Sequence, residues 1–190
     1  MEGFLYRFKI NGHFIFILVD KEGNLLANGV PHSSMQTALE LIKRHIPQVK
    51  NFKIEYMYNE NKYRFIAQEL FRLFQGKDVR YGFNVRFLDN NPLRLRVLKA
   101  VKKIPRGKVA SYSLVASYLG VKSPRVIGKM LMKNPFPLIY PCHRVVYKNG
   151  YIGGYLGSKS LWYIKAGILL REGVPLKDKQ VSKSAFIEKL

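Results

Sequence analysis

Residues 111–134, SYSLVASYLGVKSPRVIGKMLMKN, carry the signals of two short helices joined by a tight turn. Ser111 is placed to cap a helix running to position 119, and Gly120 follows where a left-handed stop is needed. Ser123 is a second cap, and Pro124 stands at the favoured first position of a helix over 124–133. Two short helices around a glycine-containing turn read as a helix-turn-helix. Pro135-Phe136-Pro137 stops the second helix. Upstream, residues 93–104 place Leu95, Leu98, Val101 and Lys102 at helical spacing before Pro105-Arg106-Gly107. Downstream, Asn149-Gly150 predicts a hairpin over 145–152, and a last helix spans about 160–172, stopped by Gly173 and Pro175.

The first half mixes strands and helices. Asn11-Gly12 between two apolar runs, 4–10 and 13–19, is a strong hairpin signal, and a third strand near 25–28 extends it to a meander. Ser34 caps a helix from Met35 to about His45, residues 52–58 read as a strand, 62–75 as a helix and 79–88 as a strand. Asp89-Asn90-Asn91-Pro92 is a polar breaker and the expected linker, so the fold class is α+β, with a domain over 1–88 and a mainly helical one after the linker.

The chain of 190 residues carries 33 Lys and Arg against 12 Asp and Glu, a formal net charge of +21. With 47% hydrophobic and 13% aromatic residues it can bury a core, which excludes wholesale disorder. Residues 1–88 hold 13 basic and 8 acidic side chains, whereas residues 89–190 hold 20 and 4. From position 90 to 171 there are 16 Lys and Arg and no acid. Such a stretch repels itself unless a polyanion neutralises it. A membrane surface favours an amphipathic basic helix, and this stretch is punctuated by turns, so nucleic acid and no membrane is the reading. A merely soluble basic surface is the plainer alternative. The longest apolar run, 14–19, is too short to span a bilayer, and the N-terminus lacks the apolar block of a signal peptide; a soluble, cytoplasmic protein is expected.

Cys142 is the single cysteine, which excludes an intrachain disulfide and a Cys-rich zinc site; His13, His32 and His45 are scattered, so no metal and no cofactor is expected. A lone cysteine is most often a small buried hydrophobe. Its neighbours argue for chemistry instead. Pro141 rigidifies the approach, and His143 and Arg144 bring positive character expected to lower the thiol pKa towards the reactive thiolate. Adjacent residues of an extended segment point to opposite sides, so Cys142 and His143 need a tight turn or a bridging water. His143 needs an orienting carboxylate, and the acids of the second half are Asp89, Glu172, Asp178 and Glu188. Glu172 sits on the last turn of its helix, against the dipole, which points to a tertiary role. Glu172, His143, a water and Cys142 then form a relay of orienter, base and nucleophile.

These residues fall within seven blocks: Ile104-Pro105-Arg106-Gly107-Lys108, Ser111-Tyr112, Arg125-Val126-Ile127-Gly128, Asn134-Pro135, Pro141-Cys142-His143-Arg144-Val145-Val146, Gly153-Gly154-Tyr155 and Leu169-Leu170-Arg171-Glu172-Gly173. In this order they make residues 93–176 resemble the catalytic domain of the O6-alkylguanine-DNA alkyltransferases. The resemblance implies a small N-terminal α/β domain of ribonuclease H-like topology and a C-terminal domain with a winged-helix-like helix-turn-helix, followed here by a basic tail over 177–190. It implies stoichiometric, irreversible transfer of an alkyl group from O6 of guanine, with O4 of thymine as a further acceptor site of damage, onto Cys142. Tyr112 would supply a hydroxyl donor to the base, Asn134 would pin the Cys142 segment, and backbone groups of Cys142 and Val145 would read the guanine amino group. Pro141, Tyr155, Leu156 and Gly157 would wall the pocket. The partner implied is double-stranded DNA, bound by the minor groove to a monomer, with the target base flipped out and Arg125 filling its place. Tyr112, Ser123 and Lys129 would join Arg125 on the DNA, and Arg106, where other members often have an aromatic residue, would add a phosphate contact.

Some features depart from the family. The segment 156–162 after Tyr155 is longer than usual and puts Leu156 where many members have a small polar residue, which bears on pocket size. Gln180 followed by Phe186-Ile187 is a degraded sliding-clamp-binding peptide with Lys183 where an aliphatic residue is needed, so the tail is read as a charged, frayed terminus. Three other readings stand beside alkyl transfer: a non-catalytic alkyltransferase-like protein that flags damaged guanine, against which Cys142 argues; a winged-helix regulator with a structural cysteine; and a Cys hydrolase, for which no Asn/Asp partner or oxyanion motif is evident.

Overall fold

The computed structural model describes residues 2–45, 53–57, 61–79, 81–88 and 91–190. The chain divides into two units, and the division is not a single cut. One comprises Met1–Phe74, Asp78–Asn90 and Pro135–Pro137; the other comprises Gln75–Lys77, Asn91–Asn134 and Leu138–Leu190. Of the expected linker, Asp89 and Asn90 lie outside the described residues. Asn91 is a helix cap: its side chain accepts from the Arg94 amide at 2.9 Å.

The first unit is built on a sheet of four strands in the order β3-β2-β1-β4, with β1 Glu2–Ile10, β2 His13–Val19, β3 Leu25–Asn28 and β4 Lys53–Met57. Asn11 and Gly12 both take positive φ (46° and 77°), the pair of left-handed residues that a two-residue hairpin requires. β1 pairs antiparallel with β2 in the register Phe4↔Val19 to Ile10↔His13, and parallel with β4. Residues 15–19 of β2 are all buried, so this central strand is covered on both faces. Helix α1, Met35–Lys43, capped by Ser34, lays Ala38 and Ile42 on Leu5, Phe16, Leu18 and Leu26. Helix α2, Arg64–Phe74, meets the sheet through Phe71 and Phe74, whose rings lie 5.5 and 5.6 Å from His13. Among the described residues of the strand expected over 79–88, the pairing is one bridge, Leu25↔Val85. Its aromatic residues cluster as rings, Tyr81 on Phe83 and Phe87 on Phe136, instead of alternating between two sheet faces. Asn28 holds the short 135–137 piece, donating from its amide nitrogens to the Pro135 carbonyl (3.0 Å) and the Pro137 carbonyl (2.7 Å).

The second unit contains α3 Pro92–Val101, α4 Tyr112–Tyr118, α5 Pro124–Met132 and α6 Trp162–Arg171. Its short strands β5 Ala110–Ser111 and β6 Val145–Val146 pair in parallel, and β7 Leu176–Lys177 pairs antiparallel with β8 Gln180–Val181. The hairpin expected over 145–152 is therefore corrected: the chain turns at Asn149-Gly150, with the Tyr147 amide on the Tyr151 carbonyl, but the strand partner of 145–146 is 110–111. The tail is also corrected. Val181 and Ala185 are buried with Val109, Val146, Ile152 and Leu169, and Phe186 packs on the same cluster. Backbone bonds from Val109 to the Ala185 carbonyl and from Ile187 to the Val109 carbonyl, both 2.9 Å, sew it down. Gly76 packs here too: a Cβ on it would collide with the Arg171 carbonyl at the end of α6, and Arg106 hydrogen-bonds the Gly76 carbonyl. No helix of the described residues is long and apolar enough to cross a membrane.

Because Val181 is buried in an apolar cluster, Val181→Asp would place an unpaired charge there. We expect a loss of about 3 kcal/mol or more, read as a fall of several degrees in the thermal midpoint. An unchanged melt would mean that the tail contributes nothing to the packed core.

Candidate active site

The two capped helices are formed as local chemistry dictates. Ser111 accepts from the Leu114 amide at 3.0 Å and starts α4 with Tyr112 as its first residue; Gly120 ends the turn at φ 67°. Ser123 takes the N-cap position of α5 without a side-chain bond, and Pro124 follows as the first helical residue. α5 buries Ile127 and Leu131 and leaves Arg125, Lys129 and Met132 exposed. The β5–β6 ladder sets Ser111 beside Val146, which brings the start of α4 next to the segment that carries the cysteine.

That segment is a single 3₁₀ turn, Cys142–Arg144, entered through Pro141. The turn answers the geometric difficulty raised by adjacent Cys and His, because its residues are not extended. Asn134 is fully buried at the end of α5 and donates to the Tyr140 carbonyl at 2.8 Å, and its amide also neighbours the Cys142 thiol.

Charge is concentrated on Glu172. His143 Nε2 lies 2.9 Å from Glu172 Oε1, and Arg144 donates to both carboxylate oxygens, from Nε at 2.9 Å and Nη2 at 2.8 Å. Arg144 Nη1 also reaches the Ile104 carbonyl at 2.7 Å. Burial works against the Glu172 carboxylate, but the His143 imidazole and the Arg144 guanidinium hold its pKa down to about 2. Burial lowers the pKa of His143, with Glu172 only partly opposing it, so the resting imidazole is neutral. A carboxylate partner assigns the proton to Nε2. That leaves Nδ1, buried and without a protein hydrogen-bond partner, as an acceptor.

The expectation of a lowered Cys142 pKa is overturned. Burial raises it, and the groups that oppose burial are the Asn134 amide, the Lys165 ammonium and the Tyr155 hydroxyl. Arg144 does not serve the sulfur because its guanidinium is committed to Glu172. Lys165 was not singled out in the sequence. It is fully buried, donates to the carbonyls of Val145 (2.7 Å) and Ile152 (2.6 Å), and is lowered to about 8 by burial, with Cys142 opposing. Its signal was present as a cation on the buried stripe of α6 formed by Ile164, Ile168, Leu169 and Glu172.

An open cleft of about 360 Å³ lies over Tyr112. Its lining includes Arg125 and Lys129 of α5, Tyr147 and Gly157. Pro141, Cys142, His143, Val145, Tyr155 and Leu156 are buried and do not form its lining. Ser123 is half-buried at the start of α5, and Arg106 is bonded to the Gly76 carbonyl instead of standing free for a phosphate. The 156–162 segment opens with a tight turn: Tyr155 and Ser158 exchange two backbone bonds of 2.9 Å around Leu156 (φ 49°) and Gly157 (φ 78°). Tyr112 itself has its hydroxyl pKa raised by burial, with Cys142 and Tyr147 adding to the effect.

Known proteins are similar to this chain over the same residues. Residues 92–174 match the family model described as the 6-O-methylguanine DNA methyltransferase, DNA binding domain. A methylated-DNA–protein-cysteine methyltransferase of Metallosphaera sedula is 40% identical over 123 residues, which cover 65% of this chain and 76% of the relative. The chain belongs to the methylated-DNA–protein-cysteine methyltransferase family. A second methyltransferase of this name, from Saccharolobus solfataricus, is 45% identical over 105 residues, covering 55% of this chain and 66% of that one. The solved O6-methylguanine DNA methyltransferase of Methanococcus jannaschii superposes with a TM-score of 0.60 at 29% identity, covering 93% of this chain and 98% of that one. The mixed α/β architecture is that of these methyltransferases.

The depressed pKa of Glu172 sets an acid limit. Its carboxyl is held at about 2 in the folded state against an ordinary value of 4.5. The stabilisation it contributes is complete above pH 4.5 and is lost as pH falls from there to about 2. In thermal melts, Glu172→Gln should trail the parent clearly at neutral pH and close the gap through that acid window. A gap that stays constant with pH would show that the charge on Glu172 is not what the pair depends on.

Proposed function

We propose that this chain repairs duplex DNA by taking the alkyl group from O6 of guanine onto the Cys142 sulfur. The observation that carries the reading is the combination around His143: Nε2 is tied to a buried carboxylate, Nδ1 is free to accept, and a buried thiol stands one residue away in the same turn. The thiol proton passes through a water to His143 Nδ1, and Glu172 stabilises the imidazolium that results. Asn134, Lys165 and the Tyr155 hydroxyl stabilise the sulfur anion. A sulfur electron pair then attacks the alkyl carbon in line, the bond from that carbon to O6 breaks, and its electrons leave with guanine. The Tyr112 hydroxyl donates a proton to the departing base, and the proton held by His143 restores the hydroxyl, so the net movement is from thiol to guanine. The product is a thioether that no group in the site can reverse, and each molecule acts once.

Duplex contact is assigned to α5. Arg125, at its second position, is exposed, lines the cleft and leads the helix that would lie in the minor groove, with Lys129 one turn on. A target base must leave the stack to reach a buried sulfur, and Arg125 fills the space it vacates. O4-alkylthymine fits the same chemistry, since its leaving group is also an exocyclic oxygen of a base. The acid-free stretch from position 90 to 171 gives the protein its affinity for the phosphates.

Incubation with a duplex bearing O6-methylguanine should raise the intact mass by one methylene unit on Cys142, and Cys142→Ala should show no change. Absence of the adduct with folded protein would leave damage binding without chemistry as the function. Arg125→Ala should slow the reaction with duplex about tenfold while sparing the reaction with the free modified base. An equal loss on both would remove its role in flipping.

A further inference from the structure

Asn28 is the last residue of β3 and is fully buried, a place where an asparagine has no advantage as a strand residue. Its side-chain Oδ1 is buried without a hydrogen-bond partner among the described residues. An apolar side chain of the same shape would avoid that cost. What it could not supply is the Nδ2 group, which donates to the Gly29 carbonyl at 3.0 Å and, 109 positions along the chain, to the Pro137 carbonyl at 2.7 Å. The Asn28 backbone amide adds a third bond, to the Pro135 carbonyl at 3.0 Å. Prolines have no amide hydrogen, so the backbone of Pro135 and Pro137 can be hydrogen-bonded only through these carbonyls. Phe136 between them is fully buried, with its ring 5.0 Å from that of Phe87 at 89°.

The held piece lies between two residues on which the site depends. Asn134, just before Pro135, is fully buried and donates to the Tyr140 carbonyl at 2.8 Å, with its amide beside the Cys142 thiol. Leu138, just after Pro137, is buried and takes a φ of 78°. A left-handed backbone is costly for leucine and persists only where the surroundings fix it. The peptide that joins Pro137 to Leu138 is the one whose carbonyl Asn28 holds, so this bond sets the plane from which Leu138 starts. Further on, the Tyr140 carbonyl accepts both the Asn134 side chain at 2.8 Å and the Cys142 amide at 2.7 Å. The chain from 134 to 140 is thereby a loop closed by Asn134 and gripped at its midpoint by Asn28.

We propose that Asn28 is a positioning residue for the nucleophile: by gripping the Pro137 carbonyl it holds Leu138 in its left-handed conformation and keeps the closure of Asn134 on Tyr140 that sets the Asn134 amide against the Cys142 sulfur. It acts through the backbone of 135–138. Without the grip, Leu138 relaxes towards an ordinary φ, the Tyr140 carbonyl shifts and the Asn134 amide is misplaced. Lys165, Tyr155 and Tyr112, the titratable groups that face the sulfur, keep their places. What this placement serves rests on the alkyl-transfer reading above, but the placement itself does not.

The test uses the full chain with Asn28→Ala and with Asn28→Leu, which fills the same space without a donor. Two rate constants are read, so partial folding of a variant does not distort them. One is single-turnover transfer from a duplex bearing O6-methylguanine at saturating protein, and the other is alkylation of Cys142 by iodoacetamide as a function of pH. Both variants should slow transfer about tenfold. Both should move the midpoint of the alkylation profile to higher pH, because the Asn134 amide is among the groups that hold the thiol pKa down. A residue that merely supports the fold would leave that midpoint where it is. Adding Leu138→Gly to Asn28→Ala should recover part of the rate, since glycine takes a φ of 78° freely. A parental rate or a parental midpoint in either variant, or a double variant no faster than Asn28→Ala, overturns the inference. No adduct on Cys142 in the parent overturns the alkyl-transfer reading itself, and the midpoints then decide the inference alone.

Discussion

Glu172 accepts hydrogen bonds from His143 and from Nε and Nη2 of Arg144, whose Nη1 carries the connection on to the Ile104 carbonyl beyond the end of α3. Three stretches of chain that are remote in sequence thereby meet at one carboxylate. A buried carboxylate is tolerated only when its charge is matched, and removing one partner of such a set typically costs about 3 to 5 kcal/mol. The acid-free run before it explains why this residue bears the load: between positions 90 and 171 no other acid could take the place. The 3₁₀ turn, the tautomer of His143 and the commitment of Arg144 all follow from satisfying Glu172.

The sulfur is held under the opposite regime. It has partial compensation from the Asn134 amide, the Tyr155 hydroxyl and the Lys165 ammonium, and burial still outweighs them. A thiol kept protonated at rest is protected from oxidants and stray electrophiles, since thiolate is the reactive form. Lys165 links this to architecture: the two carbonyls it holds, of Val145 and Ile152, bracket the loop that carries Tyr147, so one buried cation both faces the sulfur and secures the cleft wall.

Much of this is legible in the sequence where the cause is local. Ser111, Gly120 and Pro124 announce the helix pair, and Asn11-Gly12 announces the first hairpin, because caps and turns are decided by a few neighbouring residues. Glu172 is legible for a different reason, the scarcity of acids. What escapes is what depends on distant pairing. Residues 145–146 read as half of a local hairpin, but their partners are 110–111. The tail reads as frayed because its charge dominates, while Val181, Ala185 and Phe186 find their contacts some eighty positions upstream, at Val109. Lys165 is marked only by its place on the apolar stripe of α6, and nothing in a helix announces the two carbonyls it bonds. The thiol pKa is not legible either, because adjacency in sequence makes His143 and Arg144 look like partners of Cys142 when their geometry serves Glu172.

Gly76 has a consequence for how the molecule can be divided. It lies against the last turn of α6, where no side chain fits, and its carbonyl receives Arg106 from the loop after α3. The unit that holds Glu172 is therefore not a contiguous length of polypeptide, and a piece beginning at Asn91 lacks Gly76, which packs on the end of α6. A shortened chain that keeps α6 would have to bring a glycine to that same place, which makes one inconspicuous position, far upstream in sequence, a condition for the end of that helix to stay covered.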